Sequence, residues 1–571
     1  MASRDTSPKL PFGVALPRER RGDALEAAAL VDPQAPRRVE VGIPMRDGVE
    51  LAATVHLPPE AELPVPAIVH GTPYDKDMDW GTNDDERRLE AGYAVVHYDT
   101  RGRGKSEGVW HPFTMVDATD GHDVVEWTAA QEWCDGAIGV EGLSYDGWIA
   151  MATVSQRPQH LKAAIPFSPA GRWQQELPYR HGCMLAFWGA WWTLMRRRIM
   201  DQSQTLDVAA IVETLPVAAQ GEALNPAGPG WRELIEHDTL DDLWRSRRWD
   251  GEYDFDVPCL HVTGWHDRGD ILGTFHHYEQ MLATSPARDR QWLLVGPWSH
   301  AATYWPTDVY AGVEAPGSAL DTLAITLRFF DRFVKGEGNG VDEEPRVQLY
   351  DLGDSSWKDR ERWQGGTAER ELFLGADGSL ADAPGSDDAT SYRYDPTEPN
   401  GLRFDFSTTT WEPPLDLTEL EAQSGVVSWT GEPLADDVTL HGWGEVVLWA
   451  ITDGEDTEWH LKLADVDESG RATCVAWGCL RASHAADPAS PAPVVPGEPI
   501  RYEIELDPAF RTFKAGHRIR LVLASSEFPW FARNMNRFGP IAQQAEPRTA
   551  VNTVLHGASY PSSLRLPFES A

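Results

Sequence analysis

Cysteine, lysine and long apolar runs are all scarce in this chain. Its 571 residues include five cysteines, Cys134, Cys183, Cys259, Cys474 and Cys479, an odd and scattered set. Only Cys474 and Cys479 lie near each other, without metal-ligand spacing or a histidine partner, so neither a disulfide framework nor a zinc motif is indicated. No stretch approaches the roughly 18 apolar residues needed to span a bilayer. Met1–Asp32 has no apolar signal-peptide core, and its best run, Ala24–Val31, is broken by Glu26. These absences lead us to expect a reduced, cytoplasmic protein away from membranes. Lysine numbers eight, so the 50 basic residues are mostly arginine, and 89 acidic residues bring the net charge to −39. Such a surface repels phosphate backbones and argues against a nucleic-acid partner, while saying nothing about the fold.

What is present is the composition of an ordinary globular protein, 42% apolar and 24% charged. The length suggests about two to four domains. Residues 1–40 read as a polar, Pro- and Arg-rich extension. Strand-length apolar runs follow at Ala67–His70, Tyr93–Tyr98, Ile138–Glu141, Ala163–Phe167, Cys259–Thr263 and Trp292–Val295. Helical periodicity lies between several of them, as in Asp120–Trp133. Continuous apolar strands alternating with helices indicate a parallel sheet covered on both faces, hence an α/β domain over 41–168 and 250–338. The interruption at 169–249 is rich in Trp, Arg and Met and reads as an inserted helical cap. Beyond the linker Gly336–Gly340 come alternating runs at Arg346–Asp351, Glu445–Ala450, His460–Ala464, Arg501–Leu506 and Ile519–Ala524. Gly, Pro and Asp clusters separate them, so 339–571 is expected to form an all-β jelly roll.

The sharpest local signal is Gly142-Leu143-Ser144-Tyr145-Asp146-Gly147, set between a strand and the helix-compatible Trp148–Ala152. Strand, tight turn and helix form the setting of a nucleophile elbow, which lifts a serine hydroxyl above a sheet. The common pattern has glycine two residues after the serine; here Asp146 stands there, with Gly147 next. A serine needs a base and an orienting acid, which in α/β hydrolases follow in the order Ser, Asp/Glu, His. The strand Cys259–Thr263 runs into Gly264-Trp265-His266-Asp267, and Trp292–Val295 runs into Gly296-Pro297-Trp298-Ser299-His300. Ser144, Asp267 and His300 therefore each follow a strand, at the end where open parallel sheets bind ligands.

With these residues the chain resembles the cocaine-esterase-like (CocE/NonD) serine hydrolases, a group related to X-Pro dipeptidyl-peptidases and α-amino acid ester hydrolases. The resemblance extends over roughly residues 40–571. It also takes in Gly71-Thr72-Pro73-Tyr74-Asp75-Lys76, the loop Asp99-Thr100-Arg101-Gly102 through Gly108, and Trp133-Cys134-Asp135-Gly136. It implies an α/β-hydrolase fold with a helical cap and a C-terminal jelly roll, and acyl transfer to water through an acyl-enzyme without a cofactor or metal. Ser144 would be the nucleophile, His300 the base and Asp267 its orienter. Tyr74 would complete the oxyanion hole through its hydroxyl and Tyr145 through its backbone N–H, each donor being worth about 3 kcal/mol of barrier. In the α-amino acid ester hydrolase branch, acids near the triad hold the substrate's ammonium group. Asp270 matches one of them, Gly269 stands where a second would be, and Glu176 falls loosely where the cap would supply another.

Other readings of the sequence are weaker. Gly102-Arg103-Gly104-Lys105-Ser106 is not a phosphate loop, because Asp99 stands where the first glycine is required. His266, Asp267, Asp270, His276 and His277 fit no common zinc spacing, and the histidines read as solvated or capping residues. The cap tryptophans and Trp429, Trp443, Trp449, Trp459, Trp477 and Trp530 read mainly as packing residues. The expected function is hydrolysis of a small-molecule carboxylic ester or amide. The alternatives are a relative requiring a free amine (α-amino-acid ester hydrolase, β-lactam acylase or X-Pro dipeptidyl-peptidase) or a noncatalytic carbohydrate-binding or scaffold protein. Self-association as a homo-oligomer is left open.

Overall fold

The computed structural model describes residues 36–570 apart from 60–61, 79–81, 201–206, 225–229, 249–252, 365–366 and 403–413. One ten-stranded sheet carries the first half of the chain. Its strands are β1 (Arg37–Pro44), β2 (Glu50–Leu57), β3 (Val65–Thr72), β4 (Ala94–Asp99), β5 (Cys134–Leu143), β6 (Leu161–Phe167), β7 (Cys259–Gly264), β8 (Gln291–Gly296), β9 (Val347–Asp351) and β10 (Ser356–Arg360). They lie in the order β1-β2-β4-β3-β5-β6-β7-β8-β9-β10. From β4 to β9 neighbours run parallel, and antiparallel pairs close both edges. The strand order reverses direction between β3 and β5, and the crevice outside such a switch point is where α/β sheets bind ligands. Strands β3, β4, β7 and β8 are buried at every residue, as expected for parallel strands covered on both faces.

Helices α1 (Met115–Ala129) and α2 (Tyr145–Ser155) pack together against this sheet. All eleven residues of α2 are buried, which explains why it is apolar nearly all round. The helix foreseen over Asp120–Trp133 begins earlier and stops at Ala129, and Trp133 falls in the turn leading into β5. The insertion after β6 holds a short hairpin (Tyr179–Arg180 with Cys183–Met184) and helices at Phe187–Met195, Val208–Glu213, Gly221–Leu224, Gly230–Glu236 and Asp242–Arg245. A second sheet of eleven described strands forms the C-terminal all-β domain around its own apolar core.

Two expected boundaries move. The strand β1 begins at Arg37, inside the stretch read as an extension. The run Arg346–Asp351, assigned from its alternation to the jelly roll, belongs to the first sheet. There β9 runs parallel to β8 and turns back antiparallel through β10. Alternation specifies a half-covered strand but not which sheet it joins, and Val347 and Leu349 bury with Trp265, Ile271 and Phe275 of the α/β half. By sheet membership the second domain starts after Arg360.

The end of β9 also fastens the halves together. Buried Asp351 accepts from the Gly353 N–H at 2.8 Å, the Thr512 N–H at 3.0 Å and the Thr512 hydroxyl at 2.5 Å. Asp351→Ala strands three donors in the joint, two of them from the all-β domain. It is expected to lower the unfolding free energy by about 2–3 kcal/mol, read as a shift in the urea midpoint.

Candidate active site

Ser144 closes β5 with φ 64° and ψ −122°, a left-handed backbone that a residue with a Cβ rarely adopts. Its N–H donates to Phe167 O at 2.9 Å on β6, and its carbonyl accepts the Trp148 N–H at 2.8 Å. Two glycines make the turn sterically feasible. A Cβ on Gly142 would lie 2.5 Å from the Asp146 carbonyl carbon, and one on Gly147 would lie 2.6 Å from Phe167 O. Gly147 thus supplies the close helix–strand approach, and position 146 is free to hold a side chain.

Asp267 and His300 leave the adjacent strands β7 and β8. The His300 Nδ1 is 3.0 Å from both carboxylate oxygens of the fully buried Asp267, a geometry that fixes the ring's orientation. Asp270, the first residue before the helix Ile271–Thr284, brings an oxygen of a second carboxylate to 3.3 Å from the same nitrogen. Burial works to lower the His300 pKa, but Asp267 and then Asp270 outweigh it and the group rises to about 9. Burial likewise pushes the Asp270 carboxyl well above the usual range, with Asp267 and Glu176 adding to the rise against the pull of His300.

Tyr74, on the loop after β3, is buried with its hydroxyl within hydrogen-bonding reach of the Ser144 side chain. Trp191 of the cap donates its indole N–H to the same oxygen at 3.2 Å, which leaves the phenolic proton to be given elsewhere. Burial raises the phenol far above its ordinary pKa and keeps it a donor. Tyr145 opens α2, so its N–H is one of the first-turn donors that a helix leaves without an intrahelical partner. Its side chain turns into the core: the hydroxyl donates to Asp117 at 2.9 Å and accepts the Phe113 N–H at 2.7 Å.

The remaining candidates fall elsewhere. Both carboxylate oxygens of Glu176 are engaged by backbone: Oε2 accepts from Gly171 at 3.0 Å and Arg172 at 2.7 Å, and Oε1 from Gly273 at 2.8 Å. The residue binds the entrance of the cap to the first turn of the Ile271–Thr284 helix. His277, expected to be solvated or capping, is buried between the Tyr253 hydroxyl at 2.6 Å and Ala170 O at 2.9 Å. Arg103, in the loop that mimics a phosphate motif, donates to Pro73 O at 2.6 Å and Met195 O at 3.0 Å and so ties the Tyr74 loop to the cap. Asp267, Asp270 and His300 could jointly face a cation, but their separations are those of N–H···O bonds. Four of the C-terminal tryptophans, Trp429, Trp459, Trp477 and Trp530, are buried, and Trp443 and Trp449 are half-buried.

A strained serine at a parallel-sheet switch point, with a histidine and a buried aspartate on neighbouring strand ends, defines an α/β hydrolase. Residues 47–302 match the family of X-Pro dipeptidyl-peptidases (S15 family), and residues 339–565 match the X-Pro dipeptidyl-peptidase C-terminal non-catalytic domain. The chain belongs to this CocE/NonD-like X-Pro dipeptidyl-peptidase family and is a serine hydrolase that cleaves carboxylic esters or amides. It is 29% identical to the cocaine esterase of Rhodococcus sp. (strain MB1 Bresler), over 92% of this chain and 97% of that protein. It is 26% identical to a putative serine esterase of Mycobacterium bovis, over 86% and 90%. An α-amino acid ester hydrolase structure superposes with a TM-score of 0.85 at 24% identity, covering 97% of this chain and all of that one. An aminopeptidase from a marine sediment archaeon, Thaumarchaeota archaeon, superposes equally well at 23% identity, over 97% and 99% of the two chains. Among the described residues no helix is long and apolar enough to cross a membrane.

Sequence reading missed the residue that anchors the Asp267 loop. Arg268 is buried and donates to Glu527 at 2.9 Å, and Lys462 Nζ reaches the other oxygen of Glu527 at 2.5 Å. The guanidinium also lies 3.9 Å above the Trp477 ring. No local pattern marks Arg268 apart from its place beside Asp267. Burial would raise the Glu527 pKa, but Arg268 and then Lys462 bring it down to about 2. Because this pKa is depressed in the folded state, its stabilisation is present above the ordinary value of 4.5 and is lost as the pH falls from there towards 2. Glu527→Gln leaves two buried cations without a counter-charge and is expected to cost about 3–5 kcal/mol at pH 7. Its deficit relative to the parent should shrink below about pH 4.5 in denaturant titrations, and a constant deficit would refute the assignment.

Proposed function

We propose that the chain is an esterase in which Ser144 attacks the carbonyl of a small-molecule substrate. His300 takes the serine proton and returns it to the leaving alcohol, while Asp267 holds the ring and stabilises its charged form. The Tyr74 hydroxyl and the Tyr145 N–H receive the oxyanion. Water, deprotonated by His300, then attacks the acyl-enzyme and frees Ser144. The observation that best supports this reading is the strained turn at Ser144 together with the His300 ring held 3.0 Å from both oxygens of the buried Asp267. The cap contributes Trp188, Trp191 and Trp192 beside Trp110, an aromatic surround suited to an apolar acyl group. We place the enzyme in the cytoplasm, where its five buried, free thiols stay reduced.

A requirement for a free α-amine finds little support. Asp270 directs its carboxyl at the His300 ring, and Glu176 is taken up by backbone amides. We therefore expect N-acetyl-phenylglycine methyl ester to be hydrolysed with a kcat/KM at least equal to that of the free amine. Ser144→Ala should lower turnover of both by about 10⁴-fold or more. A strong preference for the free amine would transfer the chain to the aminoacyl branch, and turnover surviving in Ser144→Ala would dismiss the triad.

A base must be neutral to accept the serine proton, so kcat/KM is expected to rise with pH along a limb near the His300 value of about 9. Asp270→Asn removes one carboxylate facing the imidazole. It should move that limb downward, towards the ordinary histidine value of 6.5. A pH–rate profile with an unmoved limb would show that Asp270 does not act on the ring.

A further inference from the structure

Asp146 occupies the position where many nucleophile elbows carry glycine, and the elbow itself gives it no task. It is the second residue of α2 and almost wholly buried. Its Oδ2 lies 2.8 Å from Nε2 of His70, which is buried near the end of β3. Four residues beyond His70 stands Tyr74. Between them Thr72 holds this loop, its hydroxyl accepting the Tyr74 N–H at 3.2 Å. One side-chain bridge therefore joins the first turn of the helix behind Ser144 to the strand end that carries the oxyanion donor. The acid stands in the first turn of α2, whose positive end favours a carboxylate, but burial outweighs this and its bond to His70 and raises its pKa.

His70 also neighbours a second buried histidine. Its ring lies 5.4 Å from that of His97, whose Nε2 is 3.0 Å from both carboxylate oxygens of Asp85. Arg88, which pairs with Asp85 at 3.3 Å, also bonds Glu141 of β5 at 2.7 Å. Beyond the direct β3–β5 pairing, Asp146 thus ties α2 to β3, and Glu141 of β5 is tied through Arg88 and Asp85 to His97 of β4.

We propose that Asp146, acting through His70, is a positioning residue that sets the spacing between the Ser144 and Tyr74 hydroxyls. The inference rests on the roles given above for those two residues. Burst titration with a p-nitrophenyl ester counts functional sites, so that kcat is measured per active enzyme. Asp146→Asn and His70→Gln are each expected to lower kcat by about 10- to 100-fold. KM should stay within about threefold, because the interaction is made in the transition state. In a Tyr74→Phe background the same substitutions should change kcat by less than about threefold, since no hydroxyl remains to be placed. Equal losses in both backgrounds, or an unchanged kcat, would overturn the proposal. Should Asp146→Asn not fold, His70→Gln carries the same comparison. Turnover retained by Ser144→Ala would instead remove the underlying reading, so the two failures are distinguishable.

Discussion

The left-handed backbone of Ser144 is the constraint on which the rest of the architecture depends. A residue with a side chain held at φ 64° and ψ −122° costs about 1–3 kcal/mol and persists only where its surroundings leave no alternative. Those surroundings are the β5–β6 pair, which takes the serine N–H, and α2, which lies so close to β5 and β6 that Gly142 and Gly147 can carry no Cβ. A wholly buried helix and a sheet covered on both faces are the structural conditions for holding one half-buried serine in a strained turn at a switch point.

Buried charge does the second part of the work. Removing charged groups from water is costly even when they are paired, and breaking a buried pair by losing one partner costs about 3–5 kcal/mol. Around this site such groups sit at joints. Arg88 and Glu141 join the segment before β4 to β5, Arg268 and Glu527 join the Asp267 loop to the C-terminal domain, and Arg180 pairs with Asp507 between cap and jelly roll. Glu176 does the same with three backbone amides. The acidic residues that are plentiful in the composition are therefore not all surface solvation; several buried ones fix β5 and the Asp267 loop in place.

Much of the fold and the core of the site could be read from local pattern. Continuous apolar runs specified the parallel strands, and Ser144, Asp267 and His300 were found because each follows one of those runs within a few residues. What escaped reading depends on partners distant in sequence. Strand β9 has the same alternation whichever sheet it joins. Asp146 looked like a departure from a glycine rule until its partner, 76 residues earlier, was seen. Glu176 carried the right chemistry for an ammonium ligand, but its partners are N–H groups, which every residue but proline supplies and no sequence pattern advertises. His277 gave no sign of burial because a histidine on a helix reads alike on either face.

The joint formed by Arg268, Glu527 and Lys462, together with Asp351 and Thr512, has a consequence for how such chains diverge. The two domains match separate sequence families, which suggests parts that recombine freely. Yet the loop bearing Asp267 is gripped by side chains of the C-terminal domain. A chimera joined at the domain boundary would inherit an arginine without its glutamate, or a glutamate without its arginine. A working chimera would have to exchange both members of such a pair together, and a new cap would likewise have to supply a partner for the buried Asp507 that Arg180 now meets.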